Sequence, residues 1–326
     1  MAIINLSVTG AAGNIAYALL PRLGELLFDI DTKIHLRLLE IDPMLDSLEG
    51  VRMEIEDCAY PFISDIVCTS DPKVAFADTH WAVLIGARPR GKGMERSDLL
   101  KANAAIFQEQ GRAINEVADK NVKVLVVGNP CNTNAYIVKQ HAPDISPANF
   151  YAMTMLDQHR ASAMLAKKLN VSCDCIENMV VWGNHSQSMY ADFQHATCNG
   201  KPIVEVVNDL DWLQQSFVSS VAQRGAEVIK ARGSSSAASA ANAILDTLIM
   251  LIDADSDQGV FSLAVNSNGE YGAVEGTVVS YPCYFDEFGQ LKVLKNIEHD
   301  AFAQQKLELT FKELADELAA VDALNA

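Results

Sequence analysis

The first sixteen residues constrain the fold more strongly than any other part of the chain. Residues 3–8 (IINLSV) have the composition of a short buried strand. They lead directly into the glycine-containing loop 9–16 (TGAAGNIA) and an apolar stretch typical of a helix. Glycines permit a tight turn and a close approach of phosphate to the backbone, and the free N–H groups at a helix start attract an anion. The pattern therefore predicts the strand, loop and helix that open a dinucleotide-binding α/β domain.

The spacing of this loop departs from the usual dinucleotide fingerprint. Its order is Gly10-x-x-Gly13-x-x-Ala16, with alanine at the last glycine position. A glycine-containing turn that binds no nucleotide is therefore the alternative interpretation. If the loop binds a dinucleotide, the residues predicted to contact it are Gly10, Ala11, Gly13, Asn14 and Ile15.

The end of the second predicted strand indicates which dinucleotide is bound. Residues 34–39 form an apolar-rich run that is followed directly by Glu40. A carboxylate at this position accepts hydrogen bonds from both ribose hydroxyls of NAD and repels the additional phosphate of NADP. The sequence therefore favours NAD over NADP.

Further strand-like apolar runs alternate with helical segments along the chain. The runs occupy residues 81–85, 124–127, 150–153 and 179–182. This alternation predicts an α/β fold with a Rossmann-type, doubly wound parallel sheet, followed by a second α+β domain. We place the boundary near Thr154, which gives a first domain over residues 1–153 and a second over residues 154–326.

Polar residues follow each of these runs. Open α/β sheets bind their ligands beyond the carboxyl ends of parallel strands, which is where these residues would lie. The segments that follow the runs are 86–90, 128–130, 154–160 and 183–185. In the second half we expect a helix from Asp157, a helix from about Trp212 through the serine-rich segment 234–243, a β region around 271–284 and a terminal helix. The terminal helix carries an apolar stripe of Phe311, Leu314, Leu318 and Val321, which we expect to pack on the first domain rather than bind a partner.

The loop at about 88–98 concentrates four cations in a chain that is otherwise strongly acidic. Two glycines and a proline favour a mobile lid, and guanidinium groups bind carboxylates in bidentate fashion. The alternative is a solvated loop whose charges pair locally, for instance Arg96 with Glu95 or Asp98.

Two segments of the second half suit the redox chemistry of a hydroxy acid. Asp157 and Arg160 are three residues apart and therefore share one face of a helix. His185, from a separate segment, could complete an Asp-His proton relay beside a carboxylate clamp, and we prefer it to His159 as the base. The alternative is that Thr154-x-x-Asp157 is only a helix-capping pattern.

Composition excludes several classes of function. A net charge of −17 opposes nucleic-acid binding, and no apolar run is long enough to span a membrane. Because the first strand begins almost at Met1, we expect no leader and a cytoplasmic location. Seven cysteines without a paired framework indicate reduced thiols. His195 and Cys198 lack nearby partners at zinc spacing in the sequence, so we predict no metal.

Six motifs in this order give the chain a clear family resemblance. They are TGAAGNIAYALL (9–20), GARPRGKGMERSDLL (86–100), VGNPCNTNA (127–135), LDQHRA (156–161), WGNHS (182–186) and SSSAASAANA (234–243). With them the chain resembles the lactate/malate dehydrogenase superfamily and, within it, the cytosolic malate dehydrogenases. It departs from their pattern at Glu40, at Lys92, at Met155, where arginine is usual, and at Gln158-His159.

The resemblance implies residue roles and partners. His185 would exchange the hydroxyl proton of malate while the C2 hydride passes to NAD, Asp157 would orient His185, and Arg160 would hold the C1 carboxylate. The other substrate contacts that it implies are Arg90 at the distal carboxylate, Arg96 and Asn129 at the C2 oxygen, and, less directly, Ser236. The remaining cofactor contacts would be Gly86, Asn103, Gly128 and Asn129. It also implies a homodimer.

Two other functions stay open at this point. One is a nicotinamide-binding regulatory protein without turnover, which would not need a proton relay. The other is a dehydrogenase for a different 2-hydroxy acid, and Arg90 is the residue that distinguishes it. A second carboxylate buried under a lid without a cation would cost several kcal/mol, so Arg90 favours a dicarboxylate.

Overall fold

A computed structural model describes the backbone of residues 3–26, 32–88 and 96–325, and the side chains of 3–24, 32–88 and 101–323. The strands are β1 (Ile3–Thr9), β2 (Lys33–Leu39), β3 (Ile63–Thr69), β4 (Trp81–Leu84), β5 (Lys123–Val126), β6 (Phe150–Ala152), β7 (Ile176–Glu177), β8 (Val180–Trp182), β9 (Tyr190–Asp192), β10 (Thr197–Cys198), β11 (Lys201–Pro202), β12 (Phe261–Asn266), β13 (Val278–Phe285) and β14 (Leu291–Val293). The α-helices are α1 (Asn14–Leu19), α2 (Leu45–Asp57), α3 (Pro72–Phe76), α4 (Arg96–Val117), α5 (Cys131–Gln140), α6 (Met155–Leu169), α7 (Ile203–Val207), α8 (Val218–Arg232), α9 (Ala238–Asp253) and α10 (Ala301–Asn325).

Nine of the strands form one sheet in the order β14-β13-β12-β6-β5-β4-β1-β2-β3. The part from β6 to β3 is parallel, and β12 joins β6 in antiparallel orientation. The predicted α/β class with a doubly wound parallel sheet is therefore confirmed. Strand order reverses at β1, whose neighbours are β2 and β4, and a crevice at such a reversal is the usual ligand site of this fold.

Strands from the second half of the chain extend the same sheet. The predicted domain boundary near Thr154 falls between β6 and α6, while β12, β13 and β14 lie beyond it in sequence. β3 and β12 were not predicted from the sequence, nor were the short strands β7, β9, β10, β11 and β14. β3 has an edge position and carries the exposed polar residues Ser64 and Asp65, so its apolar signal is weak.

One predicted strand has a different place in the fold. The run 179–182 was grouped with the parallel strands, but β8 pairs antiparallel with β9 in a separate two-stranded sheet. All three residues of β8 are buried. A continuous buried run does not distinguish parallel from antiparallel pairing, so this grouping was wrong.

The predicted helix through the serine-rich segment was also wrong. A short π-helix at Trp212–Phe217 continues into α8, which ends at Arg232, and α9 begins only at Ala238. Gly233 has φ +73° and donates its N–H to the Ile229 carbonyl at 2.8 Å, which ends the helix. In the predicted β region, Tyr271 lies in a 3-10 turn and the strand starts at Val278.

The terminal helix packs as predicted. Phe311, Leu314 and Val321 are buried, Leu318 is partly buried, and α10 contacts α4 and α5 of the N-terminal half. Among the residues that the structure describes, no helix is both long and apolar enough to cross a membrane. All seven cysteines are free thiols.

Candidate active site

The ends of β1 and β4 approach each other closely at the strand-order reversal. Gly10 has φ +64°, and a Cβ atom placed on it would lie only 2.6 Å from the Cα of Gly86. The Gly86 N–H donates to the Thr9 carbonyl at 3.2 Å, and the Gly13 N–H donates to the Gly10 carbonyl at 2.9 Å. Only glycine fits this contact, and the tight turn keeps side chains out of the crevice.

A cavity of about 730 Å³ opens beside these glycines. Its wall consists of Thr9, Gly10, Leu39, Glu40, Ile41, Asp42, Pro43, Ser70, Pro72, Gly86, Ala87, Arg88, Ile106, Glu109 and Gln110. This volume suits a small-molecule site, and the predicted cofactor residues Gly10, Glu40 and Gly86 are part of the wall. A backbone turn without Cβ atoms, next to an acid that ends β2, fits the pyrophosphate and ribose of a dinucleotide. Ala11, Asn14 and Ile15 follow in the turn and α1.

Asn103 joins the loops that follow β4 and β5. Its side chain is fully buried and accepts from the Arg88 N–H at 2.8 Å. It also donates to the Asn129 carbonyl at 3.4 Å. Gly128 lies against the β4 loop, since a Cβ atom there would be 2.8 Å from the Ala87 Cβ, whereas Asn129 is exposed. The predicted cofactor residues Asn103, Gly128 and Asn129 are therefore parts of one connected rim.

The predicted relay residues meet in space. Asp157 is fully buried, and its Oδ2 forms a short hydrogen bond with the Nδ1 of His185. Its Oδ1 accepts from the Arg160 Nη1 at 3.3 Å. The Arg160 Nη2 donates to the Ser236 Oγ at 3.2 Å, so the start of the serine-rich segment reaches the same cluster.

The capping interpretation of this segment is wrong. Thr154 is the N-cap residue of α6, but its side chain makes no capping hydrogen bond. Its hydroxyl accepts from the Ser280 Oγ at 2.9 Å, while both oxygens of Asp157 are directed to His185 and Arg160. His159 lies apart from this cluster, because its Nε2 is 3.4 Å from the carboxylate of Asp246.

The environment of His185 sets its protonation. Burial disfavours the imidazolium and lowers the pKa of His185, and the nearby charge of Arg160 acts in the same direction. The charge and hydrogen bond of Asp157 outweigh both effects, so the pKa of His185 is raised above its ordinary value. A histidine paired with a carboxylate can take up a proton and release it to a reacting group.

Sequence analysis missed the residues that hold the backbone of His185. Asn132, buried in the first turn of α5, accepts from the His185 N–H at 2.9 Å. Its amide nitrogen donates to the carbonyls of Val278 at 2.9 Å and Gly183 at 3.3 Å. Asn132 lies within the motif 127–135, but nothing in the local sequence indicates a contact so distant along the chain.

Helix α10 holds the same loop from the other side. The Asn184 N–H donates to the Thr310 Oγ1 at 2.8 Å. The Asn184 side chain donates to Glu313 at 3.1 Å and to Glu317 at 3.3 Å. These acids lie one helical turn apart on the face that packs inward, a pattern that sequence analysis did not use.

Two predicted substrate residues are in the loop at 88–98. Arg90 lies outside the described residues. Arg96 begins α4, but its side chain is outside the described part of the structure. Met155, at a position where the resemblance leads to arginine, is 2 % exposed and packs in the core.

His195, for which the sequence spacing predicted no metal, has two ligand-type side chains beside it in the structure. Its Nδ1 lies 2.8 Å from the Asp192 Oδ2, and His299 approaches from the segment before α10. Sequence analysis considered only residues near His195 along the chain, so it could not identify His299. Cys198 is buried and is not part of this cluster.

A glycine-lined crevice at the strand-order reversal and a buried Asp-His pair beside an arginine define the class of an NAD-dependent α/β oxidoreductase. Comparison with known proteins gives the family. Residues 4–150 match the NAD-binding domain of lactate/malate dehydrogenases, and residues 154–324 match their α/β C-terminal domain. The chain belongs to the lactate/malate dehydrogenase family, and its cofactor is NAD.

Solved structures of both activities resemble the chain. Malate dehydrogenase from Naegleria fowleri is 39% identical, with a TM-score of 0.93 and 99% of each chain covered. Lactate dehydrogenase from Trichomonas vaginalis, solved in complex with NADH and oxamate, is 35% identical, with a TM-score of 0.93 and 99% of each chain covered. Malate dehydrogenase from Picrophilus torridus shares the fold at 20% identity, with a TM-score of 0.83 and 99% of each chain covered.

Proposed function

We propose that this protein is an NAD-dependent malate dehydrogenase of the cytosolic type, which interconverts (S)-malate and oxaloacetate. The observation that carries the proposal is the contact of buried Asp157 with both His185 and Arg160. It places a proton carrier and a carboxylate-binding cation side by side, as the oxidation of a 2-hydroxy acid requires. The likeness to a malate dehydrogenase over nearly the whole chain supports the proposal.

His185 is the proton carrier. Its Nδ1 is occupied by Asp157, which leaves Nε2 to take the hydroxyl proton of malate or to return it to oxaloacetate. Asp157 fixes the ring and stabilises the imidazolium. When bound along the crevice, NAD would supply the acceptor for the C2 hydride of malate. The proton and the hydride together account for the two hydrogens that malate loses.

Arg160 holds the C1 carboxylate. Its contacts with Asp157 and Ser236 fix the guanidinium plane, and the side chain is only 12 % exposed. A guanidinium has five N–H donors, so a pair remains for bidentate binding of a carboxylate. Asn129, at the exposed rim, would contact the substrate oxygen and the cofactor.

The choice of a dicarboxylate rests on Arg90. In this proposal, Arg90 would meet the second carboxylate of malate, and Arg96 would help to polarise the C2 oxygen. A buried carboxylate without a cation costs several kcal/mol, whereas pyruvate would leave Arg90 without a partner. Arg90 would therefore favour malate and oxaloacetate and disfavour pyruvate.

The remaining cofactor roles belong to the same proposal. Gly10, Ala11, Gly13, Asn14 and Ile15 would surround the pyrophosphate, and Glu40 would bind the ribose hydroxyls. Residues 1–153 would form the NAD-binding domain and residues 154–326 the substrate domain. We also propose a cytoplasmic homodimer that acts on malate and oxaloacetate and binds neither nucleic acid nor membrane.

The test compares oxaloacetate with pyruvate at equal concentration, with NADH as the reductant and NADPH in parallel. We expect rapid turnover of oxaloacetate with NADH alone. Arg90→Gln should lower kcat/KM for oxaloacetate by about a hundredfold or more, because it leaves a buried carboxylate unpaired. Lys92→Gln removes the same charge from the same loop and serves as the matched control. An equal fall for oxaloacetate and pyruvate in Arg90→Gln would contradict the role of Arg90.

A lactate dehydrogenase is the second candidate, because the Trichomonas vaginalis enzyme is almost as similar as the malate dehydrogenase. Preference for pyruvate in the same assay would establish it. Turnover of neither substrate, with NADH binding intact, would instead favour the nicotinamide-binding protein without activity.

A further inference from the structure

Three side chains that take no part in the relay form a cluster of metal-ligand type. Asp192 ends β9, His195 lies in the turn before β10, and His299 precedes α10. One ligand atom from each lies within 4.8 Å of the others. Two imidazoles and a carboxylate are a donor set that suits zinc and neighbouring divalent ions. We propose that Asp192, His195 and His299 bind a zinc-class divalent cation that fastens the segment before α10 to β9.

The pair Asp192 and His195 is already arranged as two ligands. The Asp192 Oδ2 lies 2.8 Å from the His195 Nδ1. In a tetrahedral site with bonds of about 2.0–2.1 Å, neighbouring ligand atoms are about 3.3 Å apart. The cation would therefore replace the proton that these two atoms now share, with only a small separation of the pair.

Surrounding groups fix the carboxylate in this position. Asp192 is fully buried, and its Oδ2 accepts from the Trp182 Nε1 at 3.0 Å. Its Oδ1 accepts from the Gln194 N–H at 3.1 Å. Such outer contacts orient ligands in known metal sites.

His299 supplies the independent reason to place a cation here. Both of its ring nitrogens are buried without a hydrogen-bond partner among the described residues. Its ring packs edge-on to the Trp182 ring, with 4.9 Å between the ring centroids, and its centroid lies 5.6 Å from that of the His195 ring. A buried imidazole with no partner is unfavourable, and binding a cation would satisfy one of its nitrogens.

Access from solvent fits the same assignment. His299 and Glu298 line an open cavity of about 850 Å³, which gives a path for the cation from solvent.

The test titrates the full-length, chelator-treated protein with Zn²⁺ and with Co²⁺ as a spectroscopic probe. Cys173 and Cys175 are changed to serine in every protein, because these thiols could also bind metal. We expect one equivalent of Co²⁺ with nitrogen and oxygen ligands. His299→Gln and His195→Gln should each weaken Zn²⁺ binding by about tenfold or more. His159→Gln, which alters another histidine paired with an aspartate, should leave the affinity unchanged.

X-ray absorption of the zinc-loaded protein, without any histidine substitution, provides a second measurement. It should show two imidazole ligands and no sulfur. The proposal is overturned if no equivalent of metal binds, if His299→Gln binds as tightly as the parent, or if the absorption spectrum shows fewer than two imidazoles. None of these readouts depends on enzyme activity, so the outcome is separate from that of the proposed function.

Discussion

At the scale of single residues, the protonation of His185 depends on Asp157. Because the carboxylate raises the pKa of His185 against the opposing effects of burial and Arg160, Asp157→Asn should lower that pKa. Under the proposed function, reduction of oxaloacetate needs the imidazolium of His185, so the loss of this activity at high pH should move to lower pH. Oxidation of malate needs the neutral ring, so its loss of activity at low pH should also move to lower pH. We expect kcat to fall by about a hundredfold or more.

The measurement is the pH dependence of kcat in both directions. Asp246→Asn, beside His159, is the matched control and should leave both profiles in place. Profiles of Asp157→Asn that kept their position on the pH axis would contradict the coupling of the two residues. The sequence could predict this pair because both members lie in short motifs. It could not predict Asn132 or Glu317, whose contacts with this loop depend on how α5 and α10 pack around it.

At the scale of elements, the contact between α10 and the loop after β8 explains one glycine. Gly183 has φ +89°, and a Cβ atom there would lie 2.1 Å from the Thr310 Cγ2. Gly183→Ala should therefore combine backbone strain with a clash and destabilise the fold by about 2–5 kcal/mol. Since Asn184 and His185 follow directly, kcat should fall as well. Urea unfolding and steady-state kinetics measure the two effects.

Gly200→Ala separates strain from the clash. Gly200 has φ +73°, but nothing lies within 4 Å of its Cβ position. We expect a cost of only about 1–2 kcal/mol there, with normal kcat. Equal destabilisation by the two substitutions would show that Thr310 yields and that α10 does not hold the loop rigidly.

Sequence patterns predicted some elements and not others for physical reasons. Apolar runs identified β4, β5 and β6 because buried parallel strands are apolar on both faces. β1 and β2 were also identified, although β2 alternates buried apolar residues with the half-buried Lys33, His35 and Arg37. The antiparallel pairing of β8 depends on contacts made later in the chain. The high alanine content of residues 234–243 favoured a helix, yet Gly233 ends α8 and the helix resumes only at Ala238.

At the scale of the whole molecule, charge opposes the proposed substrate. The chain carries a net charge of −17, whereas oxaloacetate is a dianion that must reach a few arginines. The general repulsion acts over long distances, and the attraction that we propose for Arg90, Arg96 and Arg160 would act at short range. Salt screens the long-range repulsion before the short-range attraction, because the Debye length falls from about 30 Å at 10 mM to about 8 Å at physiological ionic strength.

The dependence of kcat/KM for oxaloacetate on salt should therefore have a maximum. Between about 10 and 150 mM salt, screening of the long-range repulsion should raise kcat/KM for oxaloacetate. Near 1 M, where the Debye length is about 3 Å, screening of the arginine contacts should lower it again. Pyruvate, with one charge, is the matched control and should show a smaller rise. A KM for oxaloacetate that stayed constant over this range would contradict the local positive site. A kcat/KM that fell from the lowest salt concentration onward would mean that the arginines, rather than the net charge, determine the approach of the substrate.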